Sequence, residues 1–188
     1  MKRSVATLGF LAAFLVQSGL LFALAADRTL IAWRGEVIRL TVVPVDPRDL
    51  FRGDYVTLAY DISRLSTADL ARVDAVSEGE TVYVTLEQEG STWKASGVHG
   101  AKPSAGLFLR GQVTDRHDER TACETPCGTL RVAYGIERFF VPEGEGRAVE
   151  AMRNDRRVEV DVAVARDGRA VLKRLLTDGA VRFDDTLW

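Results

Sequence analysis

The sequence predicts a mainly β (α+β) protein: a single antiparallel β-rich barrel or sandwich domain with one or two short helices, preceded by one N-terminal transmembrane helix. Short runs in which apolar and polar residues alternate recur between glycine-containing turns, which is typical of antiparallel strands. The run before them is uncharged and long enough to cross a bilayer. A chain of 188 residues has room for one such domain, and its formal net charge of −2 offers no basic face for nucleic acid.

The N-terminal segment carries the strongest single signal. Lys2 and Arg3 precede an uncharged run, Ser4–Ala26, which Asp27 and Arg28 close. A helix needs roughly 20 apolar residues to cross the hydrocarbon core of a membrane. Basic residues before such a span favour a cytoplasmic N-terminus. The pattern therefore predicts a single-pass anchor with the rest of the chain outside the cytoplasm.

This interpretation divides the chain into an anchor (residues 1–28, or an uncleaved signal) and an extracytoplasmic domain (29–188), with residues 33–36 as the connection. A cleaved signal peptide is the main alternative, because Ala23-Leu24-Ala25 fits the small-x-small cleavage pattern. The uncharged run is longer than the roughly 7–15 apolar residues usual in signal peptides, which favours the anchor. A buried helix of a soluble protein is the third possibility. Both leading alternatives place the domain outside the cytoplasm.

The rest of the chain reads as short strands and two minor helices. Val158, Val160, Val162 and Val164 alternate with polar or small residues ahead of the turn Asp167-Gly168, which makes 156–179 the clearest hairpin. The other predicted elements are strands over 36–45, 55–62, 105–115 and 129–141 (with a bulge at Gly135), a hairpin over 81–98 that turns at Gly90-Ser91, short helices over 66–75 and 147–154, and a loop over 115–127.

The stretch Val43–Ser63, "VPVDPRDLFRGDYVTLAYDIS", combines prolines, a glycine and charged residues ahead of a strand. Pro44 and Pro47 restrict their own φ angles and hold the preceding residues extended. Gly53 allows a close approach that a side chain would hinder. A rigid turn that leads into a strand explains every residue type here.

A functional interpretation of the same stretch also exists. Asp46, Asp49, Asp54 and Asp61 would cluster at one end of a sheet, where carboxylates can raise one another's pKa or ligate a divalent cation. Their spacing does not match an EF-hand calcium loop, and we predict no bound metal.

The motif "GDYVTLAY" resembles the signature of the GDYXXLXY family of bacterial membrane-anchored proteins. Gly53, Asp54, Tyr55, Leu58 and Tyr60 occupy all five defined positions of that pattern. The preceding "PVDPRDLFR" and the later "YGIERFFVPEGEG" are also similar to the family's usual surroundings. The resemblance implies an N-terminal transmembrane segment in the bacterial inner (cytoplasmic) membrane, an extracytoplasmic domain and no established activity. Family members tend to be encoded beside uncharacterised multi-pass membrane proteins, which implies an integral membrane partner.

The sequence therefore predicts a binding or accessory domain, with no catalytic residue and no cofactor. A loop that prolines make rigid loses little entropy on docking, so it is the expected contact surface. The candidate binding residues are Asp46, Arg48, Asp49, Arg52, Gly53, Asp54, Tyr55, Tyr60 and Glu137.

The alternative function is a glycan-directed hydrolase or binding domain of the cell envelope that uses paired carboxylates. Asp54 and Glu137 would be the pair, with Glu137 placed on a strand between aromatic residues. A Ser-His-Asp site would need a positioned histidine, and His99 and His117 both read as loop residues.

The two cysteines, Cys123 and Cys127, lie close together beside Pro126 and Gly128. In an exported domain this spacing predicts a small disulfide-closed loop. Free thiols are one alternative. The other is a metal site that adds His117 and Glu124, although the second ligand pair of a structural zinc site is missing from the sequence.

Overall fold

The structure, a computed structural model, describes residues 2–43, 55–119, 127–140 and 158–184. Helix α1 (Lys2–Arg34) is followed by strands, with one short 3-10 helix at Asp61–Ser63. The strands are β1 (Glu36–Val43), β2 (Tyr55–Thr57), β3 (Ala59–Tyr60), β4 (Arg64–Ser66), β5 (Arg72–Val73), β6 (Thr81–Glu89), β7 (Thr92–His99), β8 (Phe108–Glu119), β9 (Cys127–Ala133), β10 (Arg138–Phe140), β11 (Val158–Val164), β12 (Ala170–Thr177) and β13 (Ala180–Asp184).

The strands form two large sheets that do not close into a barrel, so of the two predicted architectures the barrel is wrong. One sheet has the order β13-β12-β11-β1-β3, the other has the order β4-β9-β8-β6-β7-β5, and β10 and β2 form a separate ribbon. The strand pairs are antiparallel except for β5 and β7, which run parallel. The mainly β class predicted from the sequence is confirmed.

A single hydrophobic cluster draws side chains from both large sheets. Alternate residues supply it, as a half-buried strand requires: Ile38, Leu40 and Val42 of β1 are buried, and so are Val82, Val84 and Leu86 of β6. The sheets therefore pack as layers around one core. The hairpin predicted over 81–98 turns at Gly90, and the hairpin over 156–179 turns at Gly168, as expected.

The predicted helix over 66–75 is not formed. The chain instead makes β4, a turn in which the Asp69 N–H donates to the Ser66 carbonyl (3.2 Å), and β5. The Thr67 N–H donates to the carbonyl of Gly128, 2.9 Å away, at the start of β9. Hydrogen bonds to distant strands therefore replace the local helical ones. The helix predicted over 147–154 lies outside the described residues.

Two strand boundaries also differ from the prediction. Strand β8 continues to Glu119, into the stretch predicted to be a loop over 115–127, because it pairs with β9 as far as Glu119 opposite Cys127. Gly135 does not mark a bulge in one long strand. It has φ +80° in the irregular stretch between β9, which pairs with β8, and β10, which pairs with β2. The chain changes sheets there.

Helix α1 continues to Arg34, past residue 28, where the predicted membrane anchor ends. Its segment Gly9–Arg34 is long and apolar enough to cross a membrane. The most apolar 18 residues of this segment are not buried against the described structure. The predicted connection over 33–36 is thus the end of the helix, Gly35 and the first residue of β1. Only Gly35 separates the helix from the sheet.

The end of α1 packs on the β11–β12 turn, Ala165–Arg169. The Arg169 guanidinium donates to both Asp27 oxygens, at 3.1 Å for Nη2, and also donates through Nε to Asp167 at 2.7 Å. These two carboxylates raise the pKa of Arg169. Ile31 is buried at the same junction.

The same turn is also fixed to the second sheet. The Arg110 N–H of β8 donates to the Gly168 carbonyl at 2.7 Å. A Cβ on Gly168 would lie 2.8 Å from the Arg110 nitrogen and 2.9 Å from the Phe108 ring, and its φ is +83°. The turn Ala165–Arg169 therefore joins the helix and both sheets, and we call it the junction turn.

Gly35 provides a test of this packing. A Cβ there would lie 2.6 Å from the Ile31 carbonyl oxygen and 2.9 Å from the Val164 nitrogen, both backbone atoms. Gly35→Ala should lower the free energy of unfolding by about 1–3 kcal/mol, measured on the full chain in detergent, because the backbone of the helix or of β11 must shift.

Gly19→Ala is the matched control, because nothing lies within 4 Å of a Cβ at that position of the same helix. Equal stability of the two variants would contradict the close packing of Gly35.

Candidate functional site

The predicted binding residues divide into two groups. Those of the stretch before the motif strand lie outside the described residues: Asp46, Arg48, Asp49, Arg52, Gly53 and Asp54. Their role in binding stays a prediction. Tyr55, Tyr60 and Glu137 are described, and they show how the two ends of the motif region are held.

Tyr55 begins β2, which pairs with β10. In this ribbon Tyr55 is opposite Phe140 and Thr57 is opposite Arg138. The Leu58 N–H extends the ladder by donating to the Glu137 carbonyl at 2.8 Å. The two stretches that carry the family resemblance, the motif and "YGIERFF", are therefore hydrogen-bonded neighbours.

Tyr60, the last residue of the motif, is a buried core residue. Its phenol donates to the Ile136 carbonyl at 2.5 Å. Burial raises the pKa of the Tyr60 phenol well above its usual 10.0, and the nearby Glu137 carboxylate raises it further. The phenol therefore stays protonated at physiological pH and remains a donor.

Tyr134 makes the reciprocal contact. Its phenol donates to the Ile62 carbonyl at 2.7 Å, in the 3-10 helix that follows Tyr60. Burial raises the pKa of the Tyr134 phenol well above 10.0, and the carboxylates of Glu137 and Asp61 raise it further. Each tyrosine thus satisfies a backbone carbonyl beside the other, and we call the two residues the tyrosine pair.

Glu137 was predicted to lie on a strand, but it lies in the irregular stretch just before β10. Its carboxylate accepts a hydrogen bond from the Tyr134 N–H, which closes the turn around Gly135. This oxygen stabilises the backbone that positions Tyr134. Because Asp54 lies outside the described residues, the carboxylate pair of the alternative hydrolase stays a prediction.

Asp61, the fourth aspartate of the acidic cluster considered above, is partly buried. Its Oδ1 accepts the Ile62 N–H at 2.8 Å. Burial raises the pKa of Asp61, and the hydrogen bond from Ile62 and the charge of Lys94 oppose that change. The side chain therefore also serves the 3-10 helix next to the motif.

The histidines lie on strands rather than in loops. His99 ends β7, and its Nε2 is 3.4 Å from the Thr85 hydroxyl, which is 3.2 Å from the Ser96 hydroxyl. Both hydroxyls also have sheet carbonyls as acceptors: Thr85 donates to Gly97 O at 3.3 Å and Ser96 to Thr85 O at 3.4 Å. These contacts fit a polar ladder on a sheet surface, which sequence reasoning did not find. His117 lies in β8.

The cysteine pair is only partly described. Cys127 begins β9, whereas Cys123 and Glu124 lie outside the described residues. The disulfide therefore stays a prediction, and so do its alternatives. Among the described residues, no group of three or more His, Cys, Asp or Glu side chains is arranged to hold a metal ion.

The fold and the motif region define a class of protein: a β-rich domain that continues directly from an apolar N-terminal helix. The family model described as "GDYXXLXY protein" matches residues 17–175, which include the second half of α1. The chain therefore belongs to the GDYXXLXY family. No curated protein and no solved structure matches it.

The tyrosine pair can be tested by removing single oxygen atoms. Tyr60→Phe and Tyr134→Phe should each lower the free energy of unfolding in urea by about 1–3 kcal/mol, because each leaves a buried carbonyl without its donor.

Tyr83→Phe is the control, because Tyr83 is only half-buried and packs edge-on against Phe108. It should change stability by less than about 0.5 kcal/mol. A Tyr60 variant as stable as the Tyr83 variant would show that the hydroxyl is not needed.

Proposed function

We propose that this protein is a single-pass protein of the bacterial inner membrane whose domain, outside the cytoplasm, is a binding or accessory module for an integral membrane partner. The observation that carries this proposal is the direct continuation of α1 into the sheet through Gly35, with Arg169 bound to Asp27. A domain held in this way has a fixed height and orientation above the bilayer. Confinement beside the membrane also raises its effective concentration for a membrane neighbour.

The helix itself supports a partner within the membrane. Its most apolar 18 residues are not buried against any described part of the chain. Gln17 and Ser18 are exposed within the uncharged run Ser4–Ala26. A polar side chain in hydrocarbon has no water to bind, so it favours a hydrogen bond to a neighbouring helix. Lys2 and Arg3 before the span support a cytoplasmic N-terminus.

The predicted contact segment begins at the far end of β1 from the helix. The chain enters it after Val43, which pairs with Ala59, and leaves it at Tyr55, which pairs with Phe140. The eight residues of β1 cover about 26 Å at roughly 3.3 Å each. A partner that binds this segment would therefore use a part that projects from the membrane, in addition to any helix contact.

No reaction forms part of the proposed function. Around the motif, both buried phenols and the Glu137 carboxylate hydrogen-bond to backbone groups. These groups stabilise the backbone that follows the contact segment and the stretch 134–140 that pairs with it. Arg48 and Arg52, inside the segment, are the side chains best suited to a charged partner, because arginine makes directed bonds to carboxylates.

Crosslinking from two positions of the full chain tests this function. A photoreactive residue in place of Arg52 should capture one integral membrane protein in intact cells. The same probe in place of Arg64, an exposed residue on the edge strand β4 of the other sheet, should not.

Substitution then tests the contact. Arg48→Ala combined with Arg52→Ala should reduce co-purification of that protein roughly tenfold or more, whereas Arg64→Ala with Arg131→Ala should not. Equal capture at both positions, or full-length protein in the soluble cytosolic fraction, would contradict the proposal.

A further inference from the structure

A groove of about 450 Å³ opens beside the junction turn, where the helix meets the domain. It lies between the end of α1, the start of β1, the junction turn and the loop that precedes β8. Three cations line it, Arg34, Lys102 and Arg166, against one carboxylate, Glu36. The groove therefore has an excess of positive charge.

These cations are not neutralised within the described parts of the chain. Arg34, Lys102 and Arg166 are exposed, and the ion pairs found near the junction belong instead to Arg169, with Asp27 and Asp167. The Lys102 ammonium lies over the Phe108 ring, 5.8 Å from its centre, and pairs with no carboxylate among the described residues. Ser104 adds a hydroxyl to the same wall.

The level of the groove relative to the bilayer follows from the helix. Arg34 is eight residues beyond Ala26, the last residue of the uncharged run, or about 12 Å along the axis. Leu30 and Trp33 are exposed on this part of the helix, by 48% and 77%. An exposed tryptophan at the end of a span favours the headgroup layer, which places Arg34 and the groove at that layer.

We propose that this groove binds the phosphate of an anionic phospholipid in the outer leaflet, the leaflet at the end of the helix that joins the domain. The guanidinium groups of Arg34 and Arg166 would hold the phosphate oxygens and Lys102 would add a third charge, a set of donors that suits phosphate. The acyl chains would lie along the free side of α1, beside Leu30. The bound lipid would add a second support between the helix and the domain.

This inference rests on the membrane anchoring in the proposed function and does not depend on a partner. Native mass spectrometry of the full-length protein in mild detergent, with equal amounts of phosphatidylglycerol and phosphatidylcholine, tests it. The wild-type protein should retain phosphatidylglycerol in preference. Arg34→Gln combined with Arg166→Gln should weaken that binding about 10- to 30-fold. Each basic residue near a membrane surface contributes about 1 kcal/mol to the attraction of anionic lipid, and two are removed.

The matched control is Arg64→Gln combined with Arg131→Gln, which removes the same charge from a paired position on β4 and β9. It should keep the preference for phosphatidylglycerol. Loss of binding in both double variants, or in neither, would overturn the groove as the site. Absence of any headgroup preference in the wild-type protein would do the same.

Two further experiments distinguish a bound lipid from other ligands of the groove. Glycerol phosphate should not displace the lipid at equal concentration, and displacement would assign the groove to a soluble phosphate ester. A carbodiimide crosslink from Lys102 to an acidic protein segment in intact membranes would assign it to a protein instead. Wild-type protein that resists carbonate extraction but shows no lipid preference would overturn only this inference, whereas extraction by carbonate would also overturn the anchoring.

Discussion

The junction turn is the contact on which the rest of the structure depends. Its Arg169 binds Asp27 at the end of the apolar run, and its Gly168 carbonyl accepts the Arg110 N–H of the other sheet. An exposed ion pair contributes little to stability alone, because water and salt screen it. Here its effect is geometric, since it works together with the buried Ile31 and the close approach of Gly35 to Val164. One turn of five residues thereby fixes the orientation of the domain relative to its helix.

The family motif has a physical meaning at its second half. Leu58 and Tyr60 are two residues apart in extended chain, and both are buried. Tyrosine at position 60 supplies both bulk and a hydroxyl that reaches the Ile136 carbonyl, which phenylalanine would leave unpaired. Tyr134, on the opposite segment, donates in turn to the Ile62 carbonyl. The motif thus ties its own strand to the stretch 134–140.

Sequence reasoning succeeded where the signal is local. Alternating valines and Asp167-Gly168 predicted the β11–β12 hairpin, and the five motif residues identified the family that the comparison confirms. It failed where the deciding partner is far away in the chain. The helix expected over 66–75 loses to the bond between Thr67 and Gly128, 61 residues apart. Tyr60 and Ile136 are 76 residues apart, and Asp27 and Arg169 are 142 apart. No spacing rule links such positions.

The contacts of the junction turn and Gly35 imply that the helix and the domain move as one rigid body. Spin labels at Phe22→Cys in the helix and Glu87→Cys on β6, with Cys123 and Cys127 replaced by serine, would report their distance in liposomes; both labelled side chains are exposed. We expect one narrow distance distribution, which broadens when Arg169→Ala releases Asp27. A broad distribution for the otherwise unchanged protein would show that the helix and the domain are flexibly joined, and would contradict this expectation.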